Sequence, residues 1–155
     1  MGIYGLDWDK GETNFSEDEY KCIFPEISKI IPVKKEEDLS EEDYNIIFTE
    51  TSKIISEKKD KNIIIAMAFC FRGKVYSFWG KNQQAITDYS SAIELDNKFL
   101  SAFYHRGRLY ALDRQYDNAL SDLNKALQIS PDDQNVIKLI GHVQKAKQIK
   151  EANEN

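Results

Sequence analysis

The sequence predicts an all-α fold: a short helical-repeat solenoid of two helix pairs, with a C-terminal capping helix and an N-terminal helical extension. Three observations predict it. Ala68, Phe69, Arg72, Gly73, Tyr76, Ala85, Asp88 and Ala92 recur 34 residues later as Ala102, Phe103, Arg106, Gly107, Tyr110, Ala119, Asp122 and Ala126. Ile86, Ile93 and Leu95 return as Leu120, Leu127 and Ile129, which keeps their apolar character. A fixed period of this length marks stacked helical units, each burying its apolar face on the next. Outside the repeat, apolar residues recur at helical spacing, and capping residues stand at the starts of those stretches.

Taken in order, residues 1–15 mix glycine, aromatic and acidic residues without a period and read as an irregular lead. Ser16 with Glu19 forms a capping box for a short helix that could run to Phe24, before Pro25. Ile27, Ile30 and Ile31 give one apolar stripe ended by Pro32, and the charged run from Val33 to Asp38 reads as a loop. Ser40 with Asp43 is a second capping signal. After it Tyr44, Ile47, Phe48, Thr51, Ile54 and Ile55 share one face of a helix near 41–59, and Lys58, Lys59 and Lys61 suit the negative end of its dipole.

The first repeat reads as helices over 62–79 and 83–96, joined by a turn at Gly80, Lys81 and Asn82. The second reads as 98–113 and 117–130, with the turn at Arg114 to Tyr116. Gly73 and Gly107 fall in mid-helix, at a cost of about 1 kcal/mol each relative to alanine. Close approach of the partner helix is the expected compensation, with Ala85 or Ala119 filling the gap. Ser130, Pro131, Asp132 and Asp133 read as a helix start with Ser130 as N-cap, and the final helix is expected over 132–150.

Composition narrows the class. With 155 residues, 41% hydrophobic and 30% charged, the chain is of ordinary globular make-up and long enough for one continuous core. Cys22 and Cys70 lack any CxxC or metal-ligand spacing, so a reducing cytosol is expected. The first 12 residues hold three acids and no apolar stretch of a signal peptide, and Leu6 occupies the position where myristoylation needs Ser or Thr. The longest mostly apolar run, Ile63 to Phe71, is far too short for a membrane span. A cytoplasmic protein is the expectation. The net charge of −5 is uneven: residues 1–60 hold 16 acids and 8 bases, and residues 61–155 hold 10 acids and 13 bases. Either solvated helix faces differ by chance, or the acidic half presents itself to a basic partner.

The ladder Phe69, Gly73, Tyr76, Ala85, Tyr89 and Ala92, repeated as Phe103, Gly107, Tyr110, Ala119, Leu123 and Ala126 and closed by Pro131, resembles the tetratricopeptide repeat family. The resemblance implies repeats at about 66–99 and 100–133, within an array over 61–155 capped by the helix at 132–150. Asn97 stands where the first unit would close with proline, and beyond Gly141 the pattern lapses at Gln144 and Asn153. No repeat precedes the first: the positions one period back are Leu39, Thr51 and Lys58. Two complete repeats are fewer than such an array needs. The acidic extension over 1–60 is therefore expected to pack on the array and complete its core.

In that family the first helix of each unit lines a concave groove. The resemblance thus assigns Met67, Phe71, Lys74 and Phe78 to a groove, with Ser101, Tyr104, His105 and Arg108 from the second unit and Lys138, His142 and Lys145 from the terminal helix. These positions combine aromatics with cations and include no acid, which suits an acidic or carboxylate-bearing peptide; the alternative is a solvated face without a ligand. A subfamily that clamps chaperone C-termini uses a Lys/Asn/Arg set, and Cys70 and Lys74 break it here. No Walker loop, GxGxxG, HExxH or GxSxG occurs, and neither histidine has a Cys, Ser or carboxylate at a spacing that makes a triad or metal site. No catalysis, cofactor, metal, nucleic acid or membrane is expected. The expected function is a non-catalytic protein-interaction module, an adaptor or chaperone-like binder. The alternatives are an immunity protein neutralising a bacterial toxin, contacted by the acidic half, or a secretion chaperone.

Overall fold

A computed structural model describes Pro25, Lys29, 39–57 and 62–154 of the chain. The described residues contain six helices: α1 Glu41–Glu57, α2 Asn62–Phe78, α3 Asn82–Leu95, α4 Leu100–Leu112, α5 Tyr116–Ile129 and α6 Gln134–Glu154. They divide into two compact units, with the boundary between Asn97 and Lys98. The short helix expected before Phe24, the stripe Ile27–Ile31, the loop at 33–38 and the lysines at 58, 59 and 61 lie outside the described residues.

In the first unit, α1 packs on α2, and α2 packs on α3. The capping box that opens α1 forms as the sequence predicts. The Asp43 carboxylate accepts from the Ser40 backbone N–H at 2.8 Å, and the Asp43 backbone N–H donates to Ser40 Oγ at 3.2 Å. Tyr44, Ile47 and Thr51 are the buried members of the expected stripe, while Phe48, Ile54 and Ile55 are half-buried. Thr51 is fully buried without an orphaned hydroxyl, because its Oγ1 donates to the Ile47 carbonyl at 2.8 Å. At the C-terminal end of α2 the two helices meet through aromatic rings. Tyr44 stacks on Phe78 at 3.7 Å between centroids, and Phe48 packs against Tyr76 and Trp79 at 5.4 and 5.1 Å. Trp79 Nε1–H donates to Glu41 at 2.9 Å, so the start of α1 is tied to the end of α2.

The mid-helix glycines explain the close pairing of α2 with α3 and of α4 with α5. A Cβ on Gly73 would stand 2.8 Å from a ring carbon of Tyr89, and one on Gly107 would stand 3.1 Å from Leu123 Cγ and 3.2 Å from the Ala119 carbonyl. The expected gap-fillers were Ala85 and Ala119. In α3 the gap is instead occupied by the tyrosine, which reaches in because the glycine leaves room.

Each pair is also locked by a charge. Arg72 of α2 makes two parallel hydrogen bonds to Asp88 of α3, at 2.7 and 2.8 Å. Arg106 of α4 does the same to Asp122 of α5, at 2.7 Å each. The hydrogen bond to the aspartate, more than its charge and against the opposing cost of burial, raises both guanidinium pKa values above their ordinary range. Those arginines therefore stay charged at every physiological pH.

The turns share a register too. Gly80 (φ 73°) and Arg114 (φ 57°), one period apart, both take the left-handed conformation that ends a helix, and the following residues return 2.8 and 2.9 Å bonds to Tyr76 O and Tyr110 O.

In the second unit α5 packs on both α4 and α6. Ala119, Leu123 and Val143 form its buried centre, surrounded by Tyr104, Tyr110, Tyr116, Leu120, Leu139 and Ile140. The repeat helices differ from expectation by one or two residues at their ends, and the terminal helix starts two residues later and runs four further. The terminal helix begins at Gln134, and its cap is Asp133, whose carboxylate accepts from the backbone N–H groups of Asn135 and Val136 at 2.9 and 3.1 Å. Ser130 instead ends the preceding turn, since its own N–H is still bonded to Ala126 O at 3.0 Å.

Candidate functional site

The groove residues lie on the first helix of each pair and on α6, and burial divides them. In the first unit Met67, Phe71 and Lys74 are buried, so these three α2 positions do not present an open surface. Phe78 is 51% exposed, with one ring face against Tyr44. Hydrophobic packing explains Met67 and Phe71 without any ligand.

In the second unit Ser101 and His105 are buried, Tyr104 is half-buried, and Arg108 is exposed. Tyr104 meets His105 edge-on at 5.2 Å between ring centroids. It packs against the same buried centre as Leu139 and Ile140 of α6. Lys138, His142 and Lys145 of α6 are all exposed. The α4 and α6 positions thus assemble a half-buried phenol, a guanidinium, two ammonium groups and an imidazole on one unit. The expected positions on that unit carry no acid.

This arrangement can bind, by charge and ring stacking, a chain bearing carboxylates. Among the described residues no three His, Cys, Asp or Glu side chains gather in a way that could hold a metal. No helix among them is long and apolar enough to cross a membrane. Cys70 is buried on α2.

Two features escaped sequence reasoning. The Arg72–Asp88 and Arg106–Asp122 pairs were among the repeated identities, and their shared separation of 16 residues was the available signal. The burial of Lys74 and His105 had no such signal, because polar residues at these positions read as solvent-facing.

Comparison with known proteins agrees with the helical-repeat fold. The family described as TPR repeat matches residues 73–113, and the family described as Tetratricopeptide repeat matches residues 101–133. Human Tetratricopeptide repeat protein 6 is 35% identical over 66 residues, which are 43% of this chain and 13% of that protein. Human DnaJ homolog subfamily C member 7 is 35% identical over 63 residues, 41% of this chain and 13% of that protein. The UDP-N-acetylglucosamine--peptide N-acetylglucosaminyltransferase of Giardia intestinalis is 38% identical over 52 residues, 34% of this chain and 4% of its own length. The chain therefore spans only a small part of the curated relatives it matches. Among solved structures, the first TPR of Spaghetti (RPAP3), bound to the HSP90 peptide SRMEEVD, superposes with a TM-score of 0.66 at 13% identity, covering 88% of this chain and 99% of that one. The fold is that of a helical-repeat protein, and residues 73–133 of the chain match tetratricopeptide repeats.

Proposed function

We propose that this chain is a non-catalytic protein-interaction module that binds an acidic peptide segment through the exposed face of α4 and α6. The observation that carries the proposal is the set Tyr104, Arg108, Lys138 and His142. It combines one ring with three groups able to carry positive charge, on the face that first helices use in this repeat family. The RPAP3 repeat domain, of similar fold, is bound to a peptide whose last four residues include three acids, which supports the same ligand class.

The test uses fluorescein-labelled SRMEEVD and its neutral analogue SRMQQVN, titrated against the full chain at two salt concentrations. The acidic peptide should bind more tightly, and the preference should shrink as salt rises, because screening acts over about 8 Å at physiological ionic strength. Replacing Tyr104 and Arg108 together by alanine should remove measurable binding, since anchors of this kind are worth about 2 kcal/mol or more each. Equal affinity for both peptides, or affinity within twofold after the double replacement, would contradict the proposal. Loss of binding on changing Glu41 and Glu42 to glutamine would instead favour an acidic-half interface of the toxin-inhibitor kind.

A further inference from the structure

The outer face of α6 carries a vacancy that the rest of the molecule defines. Ile137, Gly141 and Gln144 stand one period after Phe103, Gly107 and Tyr110, and two after Phe69, Gly73 and Tyr76. In α2 and α4 the glycine of each set is covered by the second helix of the pair. A Cβ added to Gly73 or Gly107 would meet that helix at 2.8 or 3.1 Å. A Cβ added to Gly141 meets nothing within 4 Å. Ile137 is left 41% exposed. At the register of the turns at Gly80 and Arg114 stands Gln148, inside an unbroken helix that runs on to Glu154. Residues 134–154 therefore do not fold back to cover the face themselves. Ile140 stands where the earlier pairs carry their arginine, and it packs partly against the buried centre of the unit.

Charge decides what fits. Lys138 and Lys145 flank Ile137 and Gly141 on the same side of α6, and no acid occurs from Gln134 to Lys150. A second copy of the chain, pairing α6 on α6, would bring these lysines against their own equivalents at a Coulombic cost. An acidic helix would meet them favourably.

We infer that the Ile137–Gly141–Gln144 face of α6 docks an acidic amphipathic helix of a partner protein, seated as α3 is seated on α2. Such a helix would carry a small–aromatic–small stripe like Ala85, Tyr89 and Ala92, with its aromatic ring over Gly141. This surface adjoins the peptide face through Lys138, but Tyr104 and Arg108 lie on α4, outside it, so the two are separable by mutation at those residues.

The probe is a hydrocarbon-stapled, fluorescein-labelled peptide of residues 82–97, which holds three acids and no base. Titrated against the full chain and read by anisotropy, it should bind with a Kd in the micromolar range. Gly141→Gln should weaken it at least tenfold without lowering the melting temperature, since the site has room for a side chain. Lys145→Glu should weaken it severalfold. The Tyr104→Ala, Arg108→Ala double variant should leave it within twofold, which separates this surface from the peptide face proposed above. Absence of binding, binding indifferent to Gly141→Gln, or a dimer of the free chain that Gly141→Gln dissociates would each overturn the inference.

Discussion

Gly73 and Gly141 occupy the same place in the repeat pattern and meet opposite surroundings, so one substitution should act on them with opposite sign. Alanine at either position gains about 1 kcal/mol of helix propensity. At Gly73 the new methyl meets Tyr89, a fully buried ring with no room to retreat, and overpacking of this kind costs about 1–3 kcal/mol. At Gly141 it meets nothing within 4 Å. Urea denaturation should therefore show Gly73→Ala destabilised by up to about 2 kcal/mol and Gly141→Ala stabilised by up to about 1 kcal/mol. Equal shifts in the same direction would show that the packing account of the repeat glycines is wrong. The paired arginines and aspartates belong to the same scale: Asp88 and Asp122 are buried, and each is bonded by both oxygens to an arginine that is itself largely covered. Removing one member would leave a buried charge, which is far costlier than an exposed pair would suggest.

At the scale of the element, helix existence was legible because apolar stripes and repeated identities are properties of many residues at once. Boundaries were less so, because a cap is set by one side chain and a stretch such as Ser130–Asp133 offers several. At Ser40 the competition was absent and the capping box formed as written. At the start of α6 the choice went to Asp133, since the helical hydrogen bonding of α5 still claims the Ser130 N–H. Asp133→Ala should thus lower stability by about 1 kcal/mol, and Ser130→Ala by no more than a few tenths. Guanidinium titration of the two variants checks this, and a larger loss for Ser130→Ala would return the cap to the serine.

At the scale of the whole molecule, two complete repeats need further apolar cover, and α1 supplies some of it through Tyr44, Ile47 and Thr51 on the first unit. Deleting residues 1–60 should lower the melting temperature by more than about 10 °C, since several large side chains lose their partners. An unchanged, cooperative transition without aggregation would show that the segment is dispensable. The candidate site was less legible than the fold. The repeat register assigns a position to a face, but exposure depends on what covers that face. Lys74 and His105 are buried while Arg108 and Lys138 are not, although all four are polar residues placed on the same face by register. The central claim, that the half-buried ring and exposed cations of α4 and α6 receive an acidic peptide, is tested most directly by selection followed by mapping. Peptides selected from an unbiased displayed library against the full chain, then titrated into 15N-labelled protein, should be rich in Asp and Glu and should shift the amides around Tyr104, Arg108, Lys138 and His142. Selected peptides without an acidic bias, or shifts gathered on α1 or the outer face of α5 with those four positions unmoved, would contradict it.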